Sequence, residues 1–191
     1  MDIGILGGSF NPAHKGHLDL SNAALQKIGL QEVWWLVTPC NPFKQGQKML
    51  DFTQRLQLAE KEAKHLKIKV KDYEKDFKHH QTYFVLSELM RKFPQHRFVW
   101  LMGADNLDHF DKWDNWQAIM KMVNIAIFTR GDFFKKNLNC QMISKYRKYR
   151  LDSVQSEFLL TKEPPHWCYI PMRPNPISAT EIRAKKYPNL N

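Results

Sequence analysis

A chain of 191 residues, 43% hydrophobic, 13% aromatic and 25% charged, has the proportions of about one globular domain, which excludes disorder and collagen-like repeats. Such a length buries roughly 70% of the surface its unfolded chain exposes, so neither disulfides nor a structural metal is needed for stability. The formal net charge of +10, from 29 Lys+Arg against 19 Asp+Glu, points to a polyanionic partner and leaves nucleic acid, acidic lipid and small phosphorylated metabolites open.

Met1 leads directly into the apolar run Ile3 to Leu6, without a basic leader or a long hydrophobic stretch, so neither a signal peptide nor a transmembrane helix is expected. That first strand ends in Gly7-Gly8-Ser9-Phe10-Asn11-Pro12, and an amphipathic helix runs from about Gly16 to Ile28. Glu32 to Thr38 is rich in β-branched and aromatic residues and stops at Pro39, as a buried strand does. A polar loop with Pro42, Lys44 and Gly46 follows. Asp51 to Gln54 has capping-box spacing and opens a helix to about His65, after which Ile68 to Tyr73 alternates like a half-exposed strand. Thr82 caps a further helix whose Leu86, Leu89, Met90 and Phe93 form one apolar stripe. Phe98 to Met102 is a short strand running into Gly103-Ala104-Asp105-Asn106, and Val123 to Thr129 is another after a Trp-rich helix. From about Gly131 to Trp167 the chain is basic, with Lys135, Lys136, Lys145, Arg147, Lys148 and Arg150, and reads as a loosely helical, solvated surface segment. Cys40, Cys140 and Cys168 are odd in number, far apart and without a C-x-x-C pair, the pattern of free thiols in a reducing, cytoplasmic compartment.

Strands alternating with helices predict an α/β fold with a doubly wound parallel sheet, a single domain over residues 1–191, and a small helical extension at the C-terminal end. Ligands of such sheets bind outside the carboxyl ends of the strands. This directs attention to the loops after the first, second and fourth strands. In the first, two glycines allow close backbone approach, and His14 and His17 fall at the start of a helix, where a phosphate chain is a natural guest. A tight turn with two surface histidines accounts for H-x-x-H equally simply. Zinc fits poorly, since helical zinc pairs prefer i, i+4 and no third ligand is near. Gly4, Gly7 and Gly8 match neither a dinucleotide fingerprint nor a Walker A loop. Near the other end, Ile177-Ser178-Ala179-Thr180-Glu181-Ile182-Arg183 reads locally as a capping box.

Together and in this order, GGSFNPxHxGH and ISATxIR resemble the nucleotidyltransferase superfamily, whose signature is (H/T)xGH plus ISSxxxR, and within it the nicotinate-nucleotide adenylyltransferase family. The resemblance covers nearly the whole chain. Pro42-Phe43-Lys44 is similar to the family's basic loop, Gln81-Thr82-Tyr83 to its nicotinate-binding helix start, and Gly103-Ala104-Asp105-Asn106 with Trp113 to its G-x-D stretch and tryptophan.

The resemblance implies a Rossmann-like fold and transfer of the adenylyl group of ATP to nicotinate mononucleotide, giving deamido-NAD and pyrophosphate. Mg²⁺ assists, held mainly by substrate phosphates, and no covalent enzyme intermediate forms. His17, His14 and Arg183 are the implied catalytic residues. Gly8, Ser9, Phe10, His14, His17, Lys44, Gly103, Asp105, Ser178 and Arg183 would bind ATP, while Thr82, Tyr83 and Trp113 would bind the mononucleotide. Asp105 would take a ribose hydroxyl, though an N-cap role also explains it, and Trp113 has ordinary packing as its alternative. The chain stops eight residues after Arg183, where many family members continue with another helix. No nucleic acid or membrane partner is implied, and monomer and homodimer both stay open. A sister adenylyltransferase acting on nicotinamide mononucleotide or phosphopantetheine, or a basic nucleic-acid-binding module using the six tryptophans, are the alternatives.

Overall fold

The computed structural model describes residues 1–39, 49–130, 140–173 and 179–187. Its elements in chain order are β1 (Asp2–Gly8), α1 (Lys15–Ile28), β2 (Glu32–Val37), α2 (Phe52–Glu62), β3 (Ile68–Lys71), α3 (Thr82–Lys92), β4 (Arg97–Gly103), α4 (Leu107–Phe110), α5 (Trp116–Met122), β5 (Asn124–Arg130), α6 (Gln141–Lys145), β6 (Arg150–Leu151), β7 (Trp167–Met172) and α7 (Ala179–Lys186). Short 3₁₀ turns at Tyr73–Asp76, Ala104–Asn106, Arg147–Tyr149 and Ser153–Leu160 fill the connections.

The strands form one sheet in the order β3-β2-β1-β4-β5-β7-β6, and every pairing is parallel. A parallel sheet covered on both faces needs apolar residues at successive positions, and β1, β2 and β4 supply them. Alternation then divides those residues between two cores. Ile3, Ile5, Trp34, Leu36, Trp100 and Met102 pack under α3, α4 and α5. Leu6, Val33, Trp35, Val37, Val99 and Leu101 pack under α1, α2 and the Ser153–Leu160 turns. β1 is flanked by β2 on one side and β4 on the other, so the strand order reverses there and a crevice opens at their carboxyl ends.

Five of the six tryptophans, Trp34, Trp35, Trp100, Trp116 and Trp167, are buried in these cores. They therefore offer no stacking platform to a polynucleotide. No helix among the described residues is long and apolar enough to cross a membrane. Cys140 and Cys168 are free thiols, burial pushes the Cys168 thiol up to about 12, and Cys40 lies outside the described residues.

Two sequence readings need correction. Thr82 is the first residue of α3 rather than its cap; Gln81 holds the N-cap position without a side-chain hydrogen bond. The stretch before Trp167 is a loosely helical surface segment only in part. Lys145, Arg147 and Lys148 are exposed on short helical turns, as read, and Arg150 is exposed on β6. Residues 131–139, including Lys135 and Lys136, lie outside the described residues, and the rest also feeds the core. Met142, Ile143, Tyr146, Leu151 and Leu159 are buried, and β6 extends the sheet. Buried hydrogen bonds hold it: the Trp167 indole donates to the Tyr146 carbonyl (2.8 Å), and the Asn124 amide to the Leu159 carbonyl (2.9 Å). Its cations rest on rings, with Lys145 over Trp116 and Arg150 over Tyr169.

Candidate active site

At the end of β1 the chain turns through Ser9, Phe10 and Asn11, all buried. Phe10 sits at φ 45, a left-handed conformation that a bulky side chain enters only when its surroundings impose it. Its ring stacks on Trp35 with centroids 5.2 Å apart and lies 4.8 Å from the His17 ring. The Trp35 indole donates to Ser21 Oγ (2.7 Å), and the Ser21 hydroxyl donates to the His17 carbonyl (2.8 Å). The core thus fixes the first turn of α1.

His14 is the N-cap of α1, and its Nδ1 accepts the Gly16 N–H at 3.0 Å. His17 Nδ1 accepts the His14 backbone N–H at 3.2 Å, closing a reciprocal capping box from two imidazoles with centroids 4.0 Å apart. An Nδ1 that accepts carries its lone pair there, so the ring hydrogen of each imidazole belongs on Nε2. Both rings line a cavity of about 440 Å³, at the positive end of a 14-residue helix. Two directed donors at a helix start suit a phosphate chain.

The same cavity brings together Gly8, Ser9, Phe10, His14, His17, Thr82, Asp105 and Trp113 from the sequence reading. Gly103 is not in its wall; it lies under the Asp105 carboxylate, which occupies the space a Cβ there would need. Tyr83 packs against the core rather than the cavity. Arg183 also stands back from the wall: its Nη1 donates to the Asn11 carbonyl at 2.8 Å, so it grips the loop after β1 itself. Lys44 and Ser178, with Pro42, Phe43 and Ile177, lie outside the described residues. Among the described residues no three of His, Cys, Asp and Glu cluster to cage a metal, whereas Asp105 and Asp114 add two carboxylates to the cavity wall. That donor set fits a divalent ion that arrives on a triphosphate and keeps most of its coordination from phosphate and water.

Sequence reading missed Arg55, which is 1% exposed. Its Nη1 donates to the Ser9 and Thr38 carbonyls (2.7 and 2.8 Å), its Nη2 to Pro39 (3.1 Å) and its Nε to Leu50 (3.1 Å). One guanidinium therefore ties the loop after β1 to the end of β2 and the entry to α2. Asn11 repeats the tie, its side-chain oxygen accepting the Leu50 N–H at 3.1 Å. Beside Arg55, Glu74 accepts the Thr38 hydroxyl, and burial pushes its carboxyl up to about 7 despite that bond and the nearby guanidinium. A signal for Arg55 existed: it falls on the apolar stripe of Phe52, Leu56 and Ala59, where an unpartnered cation has no place.

A second cleft, of about 610 Å³, shares His14 and is lined by Lys15, Lys61, Lys64, Lys185 and Lys186. Part of the cationic surplus thus stands beside the loop after β1.

Residues 5–185 match the family model described as Cytidylyltransferase-like. A probable nicotinate-nucleotide adenylyltransferase of Ruegeria sp. (strain TM1040) is 39% identical over 186 residues, 97% of each chain. One from Parvibaculum lavamentivorans is 40% identical over 185 residues, covering 97% of this chain and 92% of that protein. The chain belongs to the nicotinate-nucleotide adenylyltransferase family. A Plasmodium falciparum nicotinic acid mononucleotide adenylyltransferase solved with NaAD has the same fold, with a TM-score of 0.68 at 23% identity over 96% of this chain and 82% of that one. Nicotinate-nucleotide adenylyltransferases are ATP-using nucleotidyltransferases that generally need a divalent metal. The α/β, doubly wound, Rossmann-like architecture expected of the family is the one found.

Proposed function

We propose that this chain transfers the adenylyl group of ATP to nicotinate mononucleotide, releasing pyrophosphate and forming deamido-NAD, with Mg²⁺ on the ATP phosphates, as a cytoplasmic step of NAD biosynthesis. The observation that carries the reading is the paired-imidazole cap of α1, whose two rings line the cavity that also contains Trp113 and the start of α3.

In this reading the mononucleotide phosphate attacks the α-phosphorus of ATP, a P–O bond forms, and the bond to the β-phosphate bridging oxygen breaks. Such transfers leave the protein mainly positioning and charge stabilisation. His17 donates to the α-phosphate as charge moves toward the leaving group. His14 holds the neighbouring phosphates, and Arg183 keeps the loop in register through Asn11. Lys44 and Ser178 complete the phosphate contacts by their place in the motifs. Asp105 takes a ribose hydroxyl, the pyridine ring stacks on Trp113, and amides of the first turn of α3 at Thr82 and Tyr83 receive its carboxylate. When bound, the metal neutralises charge on the triphosphate oxygens. Lys61, Lys64 and Lys185 raise the local concentration of the anionic substrates.

The test supplies ATP and Mg²⁺ with nicotinate mononucleotide, nicotinamide mononucleotide or phosphopantetheine and follows pyrophosphate release. Fastest release with nicotinate mononucleotide is expected. Preference for another acceptor, or release with none, overturns the assignment.

A further inference from the structure

The acceptor half of the cavity contains polar atoms that the reaction scheme above leaves unused. Trp100 is 4% exposed, lines the cavity from β4, and its buried indole Nε1 has no hydrogen-bond partner among the described residues. His80, just before α3, lines the same cavity, and its buried Nδ1 likewise has no partner among the described residues. Glu74, also 4% exposed and in the wall, has a buried Oε2 with none among them either. A buried polar group without a partner costs free energy, so three in one wall require an explanation.

Their chemistry restricts the guest. An indole N–H can only donate. Imidazole donates from Nδ1 in one tautomer, and Glu74, with its carboxyl pushed up to about 7 by burial, keeps a hydroxyl to donate below about pH 7. A wall able to present donors throughout calls for a group with acceptor oxygens on both sides, which is a carboxylate. A carboxamide has one such oxygen and turns its NH₂ toward another donor. Location agrees with this. The Trp100 and Trp113 rings meet edge to face with centroids 6.1 Å apart, so Trp100 stands beside the ring on which the pyridine is proposed to stack. Gly7 has no Cβ where one would lie 2.6 Å from Trp100 Cη2, so the backbone of β1 leaves the indole its place in the wall.

We propose that Trp100 and His80 are specificity-determining residues, their ring N–H groups receiving the pyridine carboxylate of the acceptor and favouring the acid over the amide. This rests on the acceptor assignment made above. The first-turn amides of α3 hold the group from the helix side, while Trp100 and His80 hold it from the sheet and the preceding loop.

The experiment measures kcat/KM for nicotinate and nicotinamide mononucleotides, with KM for ATP as internal control, in the full-length wild type, Trp100→Phe, His80→Phe and His80→Asn. Phenylalanine removes each N–H while keeping a ring, and the Asn amide restores a donor near Nδ1. Trp100→Phe and His80→Phe should each lower kcat/KM for the acid roughly ten- to a hundredfold, as loss of a donor to a charged group does. They should change that for the amide less than threefold, leave KM for ATP unaltered, and His80→Asn should recover most of the loss. A wild-type enzyme that uses the acid, with both folded phenylalanine variants keeping the acid-to-amide ratio within threefold, overturns this inference alone. Should Trp100→Phe not fold, the two His80 variants decide. A wild-type enzyme idle with the acid removes the acceptor assignment and the inference together.

Discussion

Replacing Arg55 by methionine tests how far the site depends on a residue that touches no substrate. The change keeps an unbranched side chain and removes the fork that serves the carbonyls of Ser9, Thr38, Pro39 and Leu50. Losing one member of a buried charged network typically costs about 3–5 kcal/mol. Against a stability of roughly 5–15 kcal/mol, the variant stays folded at room temperature with a much reduced margin. For a chain of this size each kcal/mol moves Tm by about 2–4 °C, so a fall of roughly 6–20 °C is expected in calorimetry. The loop released by the change carries His14 and His17, and a misplacement near 1 Å costs about a hundredfold in rate. Turnover at 25 °C should therefore drop steeply, with KM for either substrate changing little. Arg55→Lys keeps the charge at one point without the planar fork and should fall between the two. A methionine variant that loses less than about 1 kcal/mol and keeps kcat within twofold would refute the cross-tie.

His17→Ala should lower kcat about a hundredfold or more, since a donor matched to transition-state charge supplies roughly 2.7–4 kcal/mol; near-normal turnover in a folded variant removes the role. Gly7→Ala places a methyl against Trp100, and overpacking of that kind costs about 1–3 kcal/mol, so Tm falls and indole fluorescence shifts; an unchanged spectrum and Tm contradict the close approach. Glu74 holds its proton more tightly folded (about 7) than unfolded (4.5), so its contribution is present in full below pH 4.5 and lost as pH rises to about 7. The wild type should therefore lose about 3 kcal/mol relative to Glu74→Gln across that window in denaturant titrations, and parallel pH curves for the two proteins count against the burial effect.

Local patterns in the sequence carried the strands around β1 and β4 and helix α1, because apolar runs, turn glycines and caps act over a few residues. The acceptor wall was legible only in part. Thr82, Asp105 and Trp113 follow from motif resemblance, but Trp100 and Glu74 reach the cavity because β3, β2, β1 and β4 lie side by side in that order, and no local pattern encodes sheet order. Arg55 stands out in the sequence only as a cation on an apolar stripe, and the carbonyls it serves are brought to it by the packing of two distant loops on α2. The strand β6 was missed for a different reason: charge on Lys145 to Arg150 masks buried positions such as Tyr146 and Leu151, which alternate with the cations.

The contact between Arg183 and the Asn11 carbonyl joins positions 172 residues apart. A growing polypeptide can emerge from the ribosome with its histidine pair, and even its sheet through β7, before α7 exists to grip the loop that precedes them. Assembly of the candidate site therefore waits for a segment synthesised after every strand of the sheet. A single proteolytic cut ahead of α7 would part the Asn11 loop from its Arg183 clamp while the strands of the sheet keep every one of their partners.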